Sequence, residues 1–172
     1  METAIVSLVC VAILLIGTVT TVMTSFNAAG KVADSLREWE KQSTLVRATD
    51  ITLTPPSNYN GGTIELWINN TGSIGLADFE KWDFIAQWQS SKVDQVGYLS
   101  NVSGAPGANQ WSVSGIYMAD GSGEEMDPGI LNVGEKMRVL ISLSPAMAKN
   151  DICMITVSCV NGVTAECMFQ RK

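Results

Sequence analysis

From Thr3 to Gly30 the chain carries no Asp, Glu, Lys or Arg and is dense in Val, Ile, Leu, Ala and Met. At about 1.5 Å per residue, such a run is long enough as a helix to cross a hydrocarbon layer of about 30 Å. It has two physical outlets, lipid or the apolar surfaces of other helices. The chain opens Met-Glu-Thr, and the apolar run passes straight into charged helix. A secretory signal would instead show a basic start, a shorter apolar core and a small-residue cleavage site. The segment is therefore expected to remain in the mature product. Lys31, Arg37 and Lys41 follow the run and no cation precedes it, which by the positive-inside rule would put the C-terminal part in the cytoplasm. A short basic leader ahead of Met1, removed on maturation, resolves that conflict.

Ser7, Thr18, Thr20, Thr21, Thr24, Ser25 and Asn27 lie within the run. Small and hydroxylated residues let neighbouring helices approach closely and bond to one another. Two readings follow, a single-pass anchor that tolerates its threonines, and a helix that moves from lipid into a bundle of identical helices. Beyond Gly30 the pattern turns amphipathic, with Val32, Leu36 and Trp39 among Lys31, Asp34, Arg37, Glu38, Glu40 and Lys41. No proline occurs before Pro55, so one helix about 60 Å long or longer is expected to end near Gln42 to Thr44.

After it the signals become strand-like. Val46 to Thr54 alternates into a Pro55-Pro56-Ser57-Asn58 turn, and Asn60-Gly61-Gly62 precedes a strand over 63–68. Asn70-Thr71-Gly72 reads as another turn. Strands are expected over 82–88, 95–99, 111–118 and 136–143, and the chain closes with 152–160, Asn161-Gly162 and 163–169, the strongest hairpin signal present. The resulting expectation is an α+β chain: a hydrophobic helix over 1–44, then an immunoglobulin-like antiparallel β-sandwich head over 45–172. Trp82, Phe84 and Trp88 share one side of their strand, either as core or as a contact between heads.

Seventeen acidic and eleven basic residues give a net charge of −6, and from residue 51 onward twelve acids face seven bases. Nucleic-acid partners are disfavoured, because phosphate neutralisation needs clustered cations. The chain has no histidine, so no Ser-His-Asp triad exists, and neither a G-x-S-x-G elbow nor a phosphate-binding glycine loop is present. Cys10, Cys153, Cys159 and Cys167 match neither zinc nor redox spacing, and the last three read as small buried hydrophobes. The acidic loop Asp120 to Asp127 reads as a solvated turn, since its spacing does not follow a calcium loop. No catalytic, cofactor or metal residue is assigned. Asn69-Asn70-Thr71 and Asn101-Val102-Ser103 are glycosylation sequons in expected turns, with Asn69 and Asn101 as acceptors.

The chain resembles the archaellin and type IV pilin-like superfamily. The resemblance rests on the helix-then-head plan and on three stretches, Asn70-Thr71-Gly72-Ser73-Ile74, Asp78 to Phe84, and Val160-Asn161-Gly162-Val163-Thr164-Ala165. It implies a structural filament subunit rather than an enzyme, inserted in the cytoplasmic membrane before assembly and extracellular afterwards. It implies identical or homologous subunits, a prepilin-type peptidase and an assembly motor as partners. On that reading the assembly helix acts through Glu2, Ile5, Leu8, Val9, Ala12, Leu15, Ile16 and Val19. Glu2 would pair with a terminal amine there, or else simply complement the helix dipole. Bacterial pilins usually carry their acid at the fifth mature position, where this chain has Ile5, which points to the archaellin side. Accessory archaellum proteins share the plan, so a membrane-anchored stator or surface-binding protein is the alternative.

Overall fold

The computed structural model describes residues 2–56, 59–60, 63–124, 127 and 129–172. The expected turn residues Ser57, Asn58, Gly61 and Gly62 lie outside them, as do Glu125 of the acidic loop and the side chain of Glu2.

Helix α1 spans Glu2–Ala48. It outruns the expected end near Thr44 because Leu45 to Arg47 continue the helical hydrogen bonding, and the strand expected from Val46 begins only at Ile51. The helix closes on Thr49, whose N–H donates to Leu45 O at 3.1 Å and whose hydroxyl donates to the same carbonyl at 2.9 Å. That satisfies a terminal carbonyl that would otherwise be orphaned. The chain divides into two compact units, Met1–Thr44 and Leu45–Lys172.

The second unit contains β1 (Ile51–Thr54), β2 (Tyr59–Asn60), β3 (Thr63–Asn70), β4 (Asp83–Ser90), β5 (Val93–Asn101), β6 (Gln110–Tyr117), β7 (Lys136–Ser142), β8 (Ile152–Ser158) and β9 (Thr164–Gln170). Their order is β1-β3-β7-β6-β5-β4-β8-β9, with β2 also on β3. Every pairing is antiparallel except a short parallel contact of Ser100 and Asn101 with Gln110 and Trp111. That contact is where the path folds over, so β1, β2, β3, β7 and β6 form one layer and β5, β4, β8 and β9 the other. The expected sandwich is present.

The alternation of each strand sets the core. Ile64, Leu66 and Ile68 of β3 and Met137, Val139 and Ile141 of β7 point in from one layer; Phe84, Ala86 and Trp88 of β4 and Cys153, Ile155 and Val157 of β8 point in from the other. Trp111 and Phe84 stack across the layers with centroids 3.9 Å apart. Trp82, Phe84 and Trp88 are all buried, which settles their role as core. The three C-terminal cysteines are buried free thiols. Burial pushes Cys153 and Cys159 up to about 12 and Cys167 up to about 11, so they are neutral space-fillers at physiological pH.

The closing hairpin turns at Asn161-Gly162. Gly162 N–H donates to Cys159 O at 2.9 Å, and Gly162 holds a φ of 83°. A side chain there would be strained.

Candidate assembly site

Every Val, Leu, Ile, Met and Phe from Ile5 to Phe26 is at least half exposed, from 50% at Val9 to 74% at Phe26. A helix with one apolar stripe needs one neighbour, whereas a helix apolar all round needs cover on every side. Ile13, Leu14, Leu15 and Ile16 alone step about 100° each and so wrap the circumference. The segment is also long and apolar enough to cross a membrane. Fully covering a side chain of this kind is worth about 1.5–3 kcal/mol, so covering a dozen is worth on the order of 20 kcal/mol.

The face expected to assemble, Ile5, Leu8, Val9, Ala12, Leu15, Ile16 and Val19, is exposed throughout. So are Val6, Val11, Ile13, Leu14, Val22, Met23 and Phe26, which that face omits. Looking for a stripe misses a surface that has none; the unbroken length of the run was the informative signal. Further along, Val32, Leu36 and Trp39 are exposed as a stripe of their own.

The hydroxyls in the run bond locally. Thr18 donates to Leu15 O at 2.9 Å, Thr21 to Gly17 O at 2.8 Å, Thr24 to Thr20 O at 2.9 Å and Ser25 to Thr21 O at 2.8 Å. Thr20 likewise bonds back to Ile16 O at 2.9 Å. In the single chain these donors bond back to the helix's own carbonyls, which leaves the hydroxyl oxygens as acceptors. A shallow depression of about 330 Å³, lined by Thr21, Val22, Ser25, Phe26 and Ala29, marks this part of the surface.

Where the helix ends, two of the stretches that carry the family resemblance converge. Thr71 and Gly72 N–H groups donate to Asp50 O at 3.0 and 2.9 Å, and Ser73 N–H donates to Ala48 O at 2.8 Å. Asn70 is buried beneath them: its amide donates to Ile74 O and Leu131 O, both at 2.8 Å, and its carbonyl oxygen accepts from Gly72 N–H at 3.0 Å. From the other side, Asn161 donates its amide to the Thr49 hydroxyl. Turn 70–74 and hairpin 159–163 thus clamp residues 48–50. Gly72 is demanded by close approach, since a Cβ there would lie 2.5 Å from Asp50 N and 2.6 Å from Ala48 O. Gly72→Ala is expected to destabilise the head by about 1–3 kcal/mol through this overpacking. Thermal melts of the full chain in detergent, followed by tryptophan fluorescence, would register the loss; an unchanged midpoint would show that the turn relaxes freely.

The two sequons differ. Neither asparagine lies in the expected turn. Asn69 sits within β3 between Thr52 and Lys136, and its amide donates to the Thr54 hydroxyl at 3.1 Å. Asn101 is the exposed last residue of β5. In the acidic loop, Asp120 accepts from the backbone and hydroxyl of Ser122 at 2.9 and 2.7 Å, and these bonds hold its carboxyl below the usual carboxylate range. Among the described residues no group of three or more His, Cys, Asp or Glu comes together in a way that could hold a metal.

The long apolar helix and the two-layer head together have the fold of a solved archaeal flagellum, and solved archaeal flagellin and stator structures match about 70% of the chain. No family model and no curated protein sequence matches the chain. Among solved structures, it is similar to the archaeal flagellum of Methanospirillum hungatei, with 10% identity, a TM-score of 0.60, and coverage of 96% of this chain and 91% of that one. It is similar to flagellin FlaB1 of Methanocaldococcus jannaschii at 12% identity and TM-score 0.52, covering 72% of this chain and 90% of that one. It is also similar to the archaellum periplasmic stator protein FlaG of Sulfolobus acidocaldarius at 18% identity and TM-score 0.51, covering 70% and 99%. These likenesses establish the fold.

Proposed function

We propose that this chain is a structural, non-enzymatic subunit of an archaellum or archaellum-like pilus, built into a helical filament through α1 after residence in the cytoplasmic membrane. The supporting observation is the apolar circumference of residues 5–26, which several identical helices cover as fully as lipid does. The coverage of nearly the whole chain by the M. hungatei flagellum supports the same reading, since it takes in the helix as well as the head. Processing by a prepilin-type peptidase and extension by a separate motor complete this reading. The likeness to the FlaG stator favours a second reading, a single-span anchor whose sandwich holds a partner. Electron microscopy and mass spectrometry of purified appendages separate the two. A filament with this chain as its main protein supports the first; recovery only in the membrane fraction overturns it.

As an outer-wall glycoprotein, the head is expected to carry sugar at Asn101 and none at Asn69, because an oligosaccharyl acceptor must be reachable and its amide free to reorient. Peptide mapping of the mature subunit tests this. A glycan on Asn69 would mean that modification precedes the pairing of β1 with β3.

A further inference from the structure

The outer faces of the two layers differ in chemistry. On the β5-β4-β8-β9 layer, strand register places Ile85 opposite Tyr98 and Thr156, Gln87 opposite Val96 and Met154, and Met154 opposite Met168. Val96 is 73% exposed, Met168 64% and Tyr98 59%, with Ile85 and Ile152 beside them. A depression of about 430 Å³ runs between Gln87, Val96, Ile152, Met154 and Met168. The charged residues of these four strands are Asp83, Asp94 and Glu166, with no Lys or Arg among them; exposed Lys92 lies in the turn that joins β4 to β5.

The outer face of the β3-β7-β6 layer is aromatic and cationic. Trp67 and Tyr117 meet edge to face at 5.3 Å. Lys136 Nζ lies 5.5 Å from the Trp67 ring centre, and the Arg138 guanidinium 5.7 Å from that of Tyr117. Arg138 donates to the Ser114 hydroxyl at 2.8 and 3.1 Å and Lys136 to Ala119 O at 3.4 Å. Ion pairs among the described residues are Arg37 with Asp34 and Lys81 with Asp78, so neither cation has a carboxylate in contact. Glu65 is the carboxylate within these three strands, and Asp120 in the following loop is near enough to feel Lys136.

We propose that the heads stack face to back: the Trp67, Tyr117, Lys136 and Arg138 surface of one copy docks on the Ile85, Val96, Tyr98 and Met168 surface of the next. This deepens the filament reading and rests on it for its biological setting. The two surfaces lie on opposite sides of one sandwich, so their contact is heterologous. It cannot close between two copies and so continues to further copies, as a ring or an open row. Tyr, Trp and Arg are the residues that concentrate binding energy in desolvated contacts; Trp67, Tyr117 and Arg138 are partly buried already, and the opposing apolar patch would cover what they still expose. The unpaired Lys136 and Arg138 meet Asp94 and Glu166, whereas pairing either face with its own copy would oppose like charges.

The test uses the full chain with Cys10→Ser, reconstituted densely in phosphatidylcholine vesicles. Two chains of different tag length, one with Thr54→Cys and one with Val96→Cys, are mixed and mildly oxidised. Thr54 is exposed and pairs with Trp67 in register. Cross-linking between position 54 of one chain and 96 of the other is expected as the main product, and a chain carrying both substitutions should give a ladder. Links mainly between two copies of position 96, or no links, overturn the proposal. Lys136→Glu with Arg138→Glu should lower the cross-linked yield about tenfold or more, as should Asp94→Lys with Glu166→Lys, and all four in one chain should restore it. Failure to restore also overturns it. Because the readout needs no filament, cross-linking by a chain that never appears in appendages would sink the filament reading and leave the stacking intact.

Discussion

Ala12→Asp or Gly17→Arg is expected to abolish filaments while leaving the head folded. Each substitution puts a charge into a surface that must be covered all round, at about 2.5–3.5 kcal/mol or more in an apolar environment. In a filament every subunit carries that penalty, and it falls on contacts to several neighbours at once. Gly17 is informative for a second reason. A Cβ there meets nothing within 4 Å inside the chain, and glycine in a helix interior costs about 0.8–1 kcal/mol relative to alanine. Nothing among the described residues requires it, and in the filament reading a glycine here lets a neighbouring helix approach closely. Counting filaments by electron microscopy, with tryptophan fluorescence as the check on the head, tests both variants. Normal filaments from either would refute a bundled core. A single-span anchor would respond differently: insertion weakened but not abolished, since one residue of this cost leaves most of the on-the-order-of-20 kcal/mol apolar term in place.

The sequence specified the architecture because its two periodicities are unmistakable. A run without charge cannot be a strand layer with a wet face, and alternating strands punctuated by turn residues cannot be a helix bundle. It was less able to place the helix end. Leu45, Val46 and Arg47 suit either state, and the choice is made by distant groups: the amide of Asn161 and the turn at 71–73 hold residues 48–50 only after the head has formed. Asn69 departs from the expected turn for a related reason. Asn-Asn-Thr-Gly is strong turn chemistry, but β1 on one side and β7 on the other draw its first residues into the sheet. The threonines in the helix were legible as polar and not as self-satisfied, because whether a hydroxyl turns back to its own carbonyl is a rotamer choice that composition does not encode. The opposed outer faces follow from register, and register needs the partner strands to be known.

The head's stability is expected to hang on Trp111, and to do so in a way that separates packing from hydrogen bonding. Trp111 is fully buried, stacks on Phe84 at 3.9 Å and ties the two layers together. Its Nε1 makes no hydrogen bond to any described residue. Trp88 is also buried, but its Nε1 donates to Pro145 O at 2.8 Å. Trp111→Ala removes the stack and leaves a cavity between the layers, at about 3–5 kcal/mol. Trp111→Phe keeps an aromatic ring against Phe84, discards an N–H that contributes no bond and leaves a smaller cavity, so the loss should be about 1–3 kcal/mol, less than for alanine. Trp88→Phe discards a bond to the carbonyl of exposed Pro145, which water can then serve, adding the net worth of one hydrogen bond, about 0.5–1.5 kcal/mol, to the same change in ring size. The expected order of melting points is therefore parent, Trp111→Phe, Trp88→Phe, Trp111→Ala. Thermal unfolding of the full chain in detergent, followed by near-ultraviolet circular dichroism, reads this order directly. If Trp111→Phe fell as far as Trp111→Ala, the stack on Phe84 would not be what joins the layers. If Trp88→Phe proved the milder of the two phenylalanine variants, the bond to Pro145 would contribute nothing to the fold.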